Sequence, residues 1–101
     1  MEARELQSHT AQAGCCPIAE AVDRERVELR GHLRTVTLRP RGGVPALEAE
    51  LYDGSGSITV IWLGRRRIAG IEPGRAIKVQ GRIGVQDKVR VMFNPRYELR
   101  D

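Results

Sequence analysis

The sequence predicts an all-β domain in which five strands close into a small Greek-key barrel, with one short helix between the third and fourth strands. Three observations carry this reading. Apolar and polar residues alternate with a period of two in separate runs between Val27 and Asn94. Clusters of Gly with Asp or Pro punctuate those runs. The first run also changes phase part-way, as a strand does when a β-bulge bends and coils it.

The first strand is "VELRGHL", where Val27, Leu29, Gly31 and Leu33 alternate with Glu28, Arg30 and His32. Its next apolar residues, Val36 and Leu38, fall on even positions, which is the phase change. "RPRGGVP" then breaks the chain as a loop. "ALEAELYD" is the second strand, with Leu47, Ala49 and Leu51 inward and Glu48, Glu50 and Tyr52 outward. "DGSG" is a hairpin signal, because Asp-Gly supplies the positive φ that tight turns need. The third strand is "SITVIWLG". In "RRRIAGIEPG" there is room for one or two helical turns closed by Gly70, with Ile68 and Ile71 plugging the barrel. The fourth strand, "RAIKVQGRIG", turns Ile77, Val79, Gly81 and Ile83 inward. The fifth, "KVRVMFN", is expected to place Val89, Val91 and Phe93 inside and Arg90 and Met92 outside.

Residues 1–25 read as an N-terminal tail and residues 26–101 as the domain. Met1 to Gly14 has few large apolar residues and is expected to be disordered. Pro17 followed by "IAEAVDRER" reads as the start of a short helix. The N-terminus has no apolar core of a signal peptide, and no run approaches the roughly 18 apolar residues of a membrane span. Cys15 and Cys16 are the only cysteines, and neighbours do not build a disulfide framework. With His9 and His32 they lack the ligand spacings of structural zinc sites. Two reduced thiols, no metal, no cofactor and a cytoplasmic protein are the expectation.

Five strands, a coiled first strand and a helix between strands three and four fit the oligonucleotide/oligosaccharide-binding (OB) barrel. The sequence adds a resemblance. "LYDGSGSITVIWLG" resembles the D-x-[ST]-G-x-[IL] turn and following strand of OB domains of the anticodon-binding and RecG-wedge type. The longer stretch from "ELYDGSGSITVIWLG" through "RRRIAGIEPGRAIKVQGRI", followed by "NPRYEL", is similar to small OB-fold proteins of actinobacteria. The resemblance covers about Arg26 to Arg100, and it implies a nucleic-acid-binding module.

Charge agrees with that implication. The chain carries +4, with a pI near 9.7. Residues 27–101 hold fourteen basic and eight acidic side chains, net +6. OB domains bind across strands two and three, flanked by the loops joining strands one to two and four to five. Those loops here are Arg39 to Pro45 and Gly84 to Lys88. The first offers Arg39 and Arg41 on a mobile Gly-Gly backbone, and the second offers Lys88 with Arg90 beyond it. Arg34, Lys78 and Arg82 extend the positive surface if their faces coincide with it. For base stacking, Tyr52 lies on the outer face. Trp62 continues the Ile58–Val60 face, which favours the core; exposed, it would be the best stacking ring. Phe93 is assigned to the core, and Tyr97 to the barrel's edge. Glu48 and Glu50 share the outer face with Tyr52 and would repel phosphate unless arginines across the sheet neutralise them. Arg65 to Arg67 read as a solvated collar.

The chain shows no Ser-His-Asp arrangement, paired-carboxylate motif, P-loop or dinucleotide fingerprint, so no enzyme is expected. The expected function is non-catalytic binding of single-stranded DNA or RNA with little sequence preference. The alternative is a protein-interaction barrel, which requires an exposed apolar patch built from Ile61, Leu63 and Met92.

Overall fold

Residues 15–100 are described in the computed structural model; Met1–Gly14, with its expected disorder, and Asp101 lie outside the described residues. The described residues form seven strands: β1 (Arg26–Leu38), β2 (Ala46–Tyr52), β3 (Ser57–Leu63), β4 (Ala76–Arg82), β5 (Gly84–Gln86), β6 (Val89–Phe93) and β7 (Arg96–Arg100). They make one sheet in the order β5-β6-β3-β2-β1-β4-β7, antiparallel throughout except between β3 and β6. Among the described residues no helix is long and apolar enough to cross a membrane.

The phase change in β1 is a bulge between Leu33 and Thr35. It divides the strand's work: residues 26–32 pair with β4, residues 32–38 with β2, and His32 pairs with both. Gly31 sits at this crossing, where an added Cβ would run into the carbonyl oxygen of Tyr52. A side chain there would hold β1 and β2 apart, so glycine permits the coil.

A closed five-stranded barrel is not what forms. The expected fourth strand is divided at Ile83 into β4 and β5, and β7 is added outside β4. Ile83 donates its N–H to the Glu25 carbonyl and accepts from the N–H of Arg24 instead of joining a ladder. β4 and β5 stand far apart in the hydrogen-bonding order, yet one residue connects them. The sheet must therefore curl, with β4 facing β6 across an unpaired seam. Inside the curl lie Leu29, Leu33, Leu51, Ile58, Val60, Trp62, Ile77, Val79 and Met92.

The helix expected in "RRRIAGIEPG" is also absent. The segment runs as turns and bends, with Gly70 at φ 85°. Ile68 and Ile71 are nevertheless buried in the core, and Arg65–Arg67 are exposed as a collar.

The phase of β6 differs from expectation, although Val91 is buried as expected, in a cluster with Ala46 and Ile61. Met92 is fully buried, whereas Val89 and Phe93 are exposed. Gly81 explains this: its missing side chain leaves room that the Met92 Cγ and Sδ fill, 3.0 Å from where a Cβ would stand. An unbranched thioether suits such a gap better than a branched valine.

Residues Cys15–Glu25 lie against the sheet. Their only regular element is a 3-10 turn, Ile18–Glu20, in place of the expected short helix. Ile18 and Ala21 enter the main core. The Ile18 N–H donates to Asp53 Oδ2 at 2.9 Å, and the Ala19 N–H donates to Ser55 Oγ at 3.1 Å. Arg90 clasps the segment from the other side, donating to the carbonyls of Ala21 (3.0 Å) and Ala19 (2.9 Å). Both cysteines are free thiols. Burial pushes both upward from the ordinary thiol value, which keeps them protonated and unreactive at neutral pH.

Candidate nucleic-acid interface

The outer face of β2 and β3 is set by register. Glu48 lies level with Ile61, and Ile61 with Phe93; Glu50 lies level with Thr59, and Tyr52 with Ser57. Side chains in one row share one face of the sheet, so Phe93 joins Glu48, Glu50 and Tyr52 on the outside. A small second cluster, Ala46, Ile61 and Val91, is buried apart from the main core.

Guanidiniums reach this face from two places. The first is the β1–β2 connection. Its glycines form a closed two-residue turn: Arg41 and Val44 exchange backbone hydrogen bonds of 2.8 and 2.9 Å, with Gly42 at φ 56° and Gly43 at φ 82°. Two successive positive φ values define the type I′ hairpin turn that glycine permits without strain. The expected mobile loop is thus an extension of the β1–β2 hairpin. It places Arg41 2.9 Å and Arg39 3.6 Å from the Glu48 carboxylate. The Arg41 guanidinium also stands over the Phe93 ring, 5.7 Å from its centre. The second place is the bulge, which re-aims a side chain. Arg34 lies within it, bonded to Glu50 at 3.0 Å and stacked 4.1 Å from the Tyr52 ring centre.

The two glutamates are therefore each held by arginine. Three guanidiniums face two carboxylates, and the net charge of the group is positive. Tyr52 and Phe93, at 38% and 39% exposure, stand beside those guanidiniums as two ring–arginine pairs. Such a pair offers a π-face for a base and a fork of donors for the adjoining phosphate.

The other residues expected at the site lie elsewhere. Trp62 is in the core at 5% exposure, its Nε1 donating to the Pro95 carbonyl at 3.3 Å and its ring edge-on to Tyr97. An indole held in this way is not available to stack on a base. Lys78 bridges Glu98 (3.0 Å) and Glu28 (3.5 Å) on the β1–β4–β7 part of the sheet. The hydrogen bond it donates to Glu98 raises its pKa, as expected for a cation serving an ion pair. Arg90 is committed to the Ala19 and Ala21 carbonyls. Arg82 lies at the end of β4, beside the seam. Lys88 is exposed, but the stretch Gly84–Lys88 is not a loop: β5 occupies most of it, and Asp87 and Lys88 form the tight turn at φ 51° and 66°. The apolar patch required for a protein-interaction barrel is not assembled either, because Ile61 and Met92 are both fully buried.

Phe93 is the residue that sequence reasoning missed. Three apolar side chains on alternate positions of "VRVMF" outvoted one methionine. The signal that would have reversed the vote is Gly81, which leaves space on the inner face of the neighbouring strand.

The fold has known counterparts. The chain superposes on part of RecG, in a structure of that protein bound to a three-way DNA junction, with a TM-score of 0.72 and 15% identity over 86% of this chain. It superposes on the HINb domain of p204 with a TM-score of 0.70 and 13% identity over 87% of this chain. The matches span 13% and 48% of those two chains, so this chain corresponds to a part of each. No protein-family model and no curated protein matches the sequence. The structural likeness shows an OB-like fold.

Proposed function

We propose that this protein is a non-catalytic module that binds single-stranded DNA or RNA across the outer face of β2 and β3, with little sequence preference. The observation that carries this reading is the pair of exposed rings, Tyr52 and Phe93, each beside a guanidinium, on a face whose carboxylates are neutralised. The likeness to a domain of RecG, solved on a DNA junction, supports the same reading. We take the protein to belong with small actinobacterial OB-fold proteins and to act in the cytoplasm. Bases stack on Tyr52, Phe93 or the guanidinium planes themselves, and phosphates bind Arg34, Arg39 and Arg41.

Fluorescence anisotropy with labelled single strands tests this over a salt series. With three phosphate contacts, the logarithm of the affinity should fall against the logarithm of salt with a slope of about −2. Tyr52→Ala or Phe93→Ala should each weaken binding roughly 5- to 150-fold. Absence of binding to single- or double-stranded DNA or RNA at low salt would refute the proposal. Binding unaffected by both ring substitutions would remove it from this face.

A further inference from the structure

A second basic feature lies at the seam, where β4 faces β6 without a ladder. An open groove of about 800 Å³ is lined there by Arg26, Arg82, Arg96 and Phe93, with Glu28 as its one carboxylate. Arg26 and Arg82 are directly opposite in the β1–β4 ladder. Arg96 is opposite Gln80, two residues along β4 from Arg82. Like charges in direct opposition destabilise a sheet. Arg30 and Lys78 also stand opposite in this ladder, but Lys78 is held by Glu28 and Glu98; Arg34, Arg39, Arg41 and Arg100 likewise each have a carboxylate within 4.0 Å. Arg26, Arg82 and Arg96 have none among the described residues. Glu28 does not compensate them, since its carboxylate already receives Lys78 (3.5 Å), the Gln80 amide (3.1 Å) and the Cys15 thiol (3.6 Å). The groove therefore holds uncompensated positive charge against the preference of the folded sheet.

We infer that this groove binds the phosphodiester backbone of a nucleic-acid strand and continues the β2–β3 face, so that one strand runs across both. The inference rests on the proposed single-strand reading of that face. Phe93 supplies the continuity, because it lines the groove and also stands level with Ile61 on the outer face. A strand stacked at Phe93 passes its next phosphates to Arg96, Arg82 and Arg26. An open channel with guanidiniums at successive ladder positions suits a polymer of phosphates better than a single phosphate, which an enclosed pocket would hold.

The test compares oligothymidylates of about 4 and about 16 nucleotides, the range of site sizes for one OB domain, on the wild type and on a triple variant, Arg26→Gln, Arg82→Gln and Arg96→Gln. The variant should bind the short strand as the wild type does. It should bind the long strand at least about tenfold more weakly, with a salt slope shallower by about 2. Its melting temperature should not fall, because the substitutions relieve repulsion. Arg82→Glu alone, which places a carboxylate opposite Arg26, should keep or raise the melting temperature and still weaken binding of the long strand. Identical affinities and slopes for wild type and triple variant would overturn the groove and leave the β2–β3 reading standing. A wild type that binds neither strand would overturn that reading and the groove with it. Tighter binding of a poly-glutamate peptide than of the long strand, lost in the triple variant, would overturn the inference by making the groove a protein-docking site.

Discussion

Asp53 ties the N-terminal segment to the first hairpin, and replacing it by asparagine should loosen that tie in a pH-dependent way. Its carboxylate accepts from the Ile18 N–H at 2.9 Å, the Ser55 hydroxyl at 2.7 Å and the N–H groups of Ser55 (2.9 Å) and Gly56 (3.2 Å). Partial burial pushes its pKa up, but these donors outweigh burial and hold it below the ordinary carboxylate value. Asparagine keeps one oxygen for the turn and presents an amide donor to the Ile18 N–H, where two donors cannot bond. A hydrogen bond to a charged group contributes about 1.5–3 kcal/mol. The carboxylate is partly solvated, so the lower part of that range applies, about 2 kcal/mol. In a domain of this size that lowers the melting temperature by roughly 8–16 °C.

Urea unfolding followed by Trp62, the single tryptophan and a buried one, measures this directly. Because the folded carboxyl titrates below its unfolded value of about 3.9, its stabilisation is fully present above that pH. It is lost as the pH falls through the lower, folded value. The amide of the variant does not titrate, so the gap between Asp53→Asn and wild type should be about 2 kcal/mol at neutral pH and should close in acid. A neutral-pH gap under about 0.5 kcal/mol, or one that persists unchanged in acid, would refute this account of the tie.

Two further substitutions probe the frame of the site. Gly31→Ala forces a Cβ onto the Tyr52 carbonyl, so denaturant unfolding should show a loss of about 1–3 kcal/mol; an unchanged midpoint would mean that the β1–β2 crossing yields easily. Trp62→Phe removes the bond from Nε1 to the Pro95 carbonyl and leaves that oxygen to water or to nothing. Calorimetry should record a loss of about 1–2 kcal/mol, with oligonucleotide affinity unchanged because the indole belongs to the core.

Much of the fold was legible because one face of each strand meets a core and the other meets water. The alternation in "VELRGHL" and "ALEAELY" reports that directly, and the slip after Leu33 reports the bulge. What alternation does not report is which of two plausible faces wins when both carry apolar residues. In β6 that choice depended on Gly81, a residue on another strand, and hence on a contact unknown until the strands are placed. The division at Ile83 was hidden for a similar reason: its backbone partners, Arg24 and Glu25, lie in a segment whose composition resembles a tail. For the site, Glu48 and Glu50 were legible as an objection to phosphate, and unspecified arginines across the sheet as its remedy; which arginines these are was not. The pairing itself needed the bulge and the Gly42–Gly43 turn to aim those side chains. Arg26 and Arg96 gave no signal, since their importance lies in what they lack, a carboxylate neighbour.

Ile83 has a kinetic consequence. It alone joins β4 to β5, and both of its backbone hydrogen-bonding groups are occupied, by Glu25 and Arg24. Two residues of chain reach at most about 7 Å, so the span across this joint is capped by covalent geometry and held by the Ile83 hydrogen bonds, not by whatever occupies the seam. Arg82 is the residue immediately before the joint, and its backbone is positioned before any ligand arrives. A polyanion entering there meets a frame already set, with little loop ordering to subtract from its affinity. Capture should then be governed by long-range attraction and the diffusion of the ligand, with no opening of the protein to wait for.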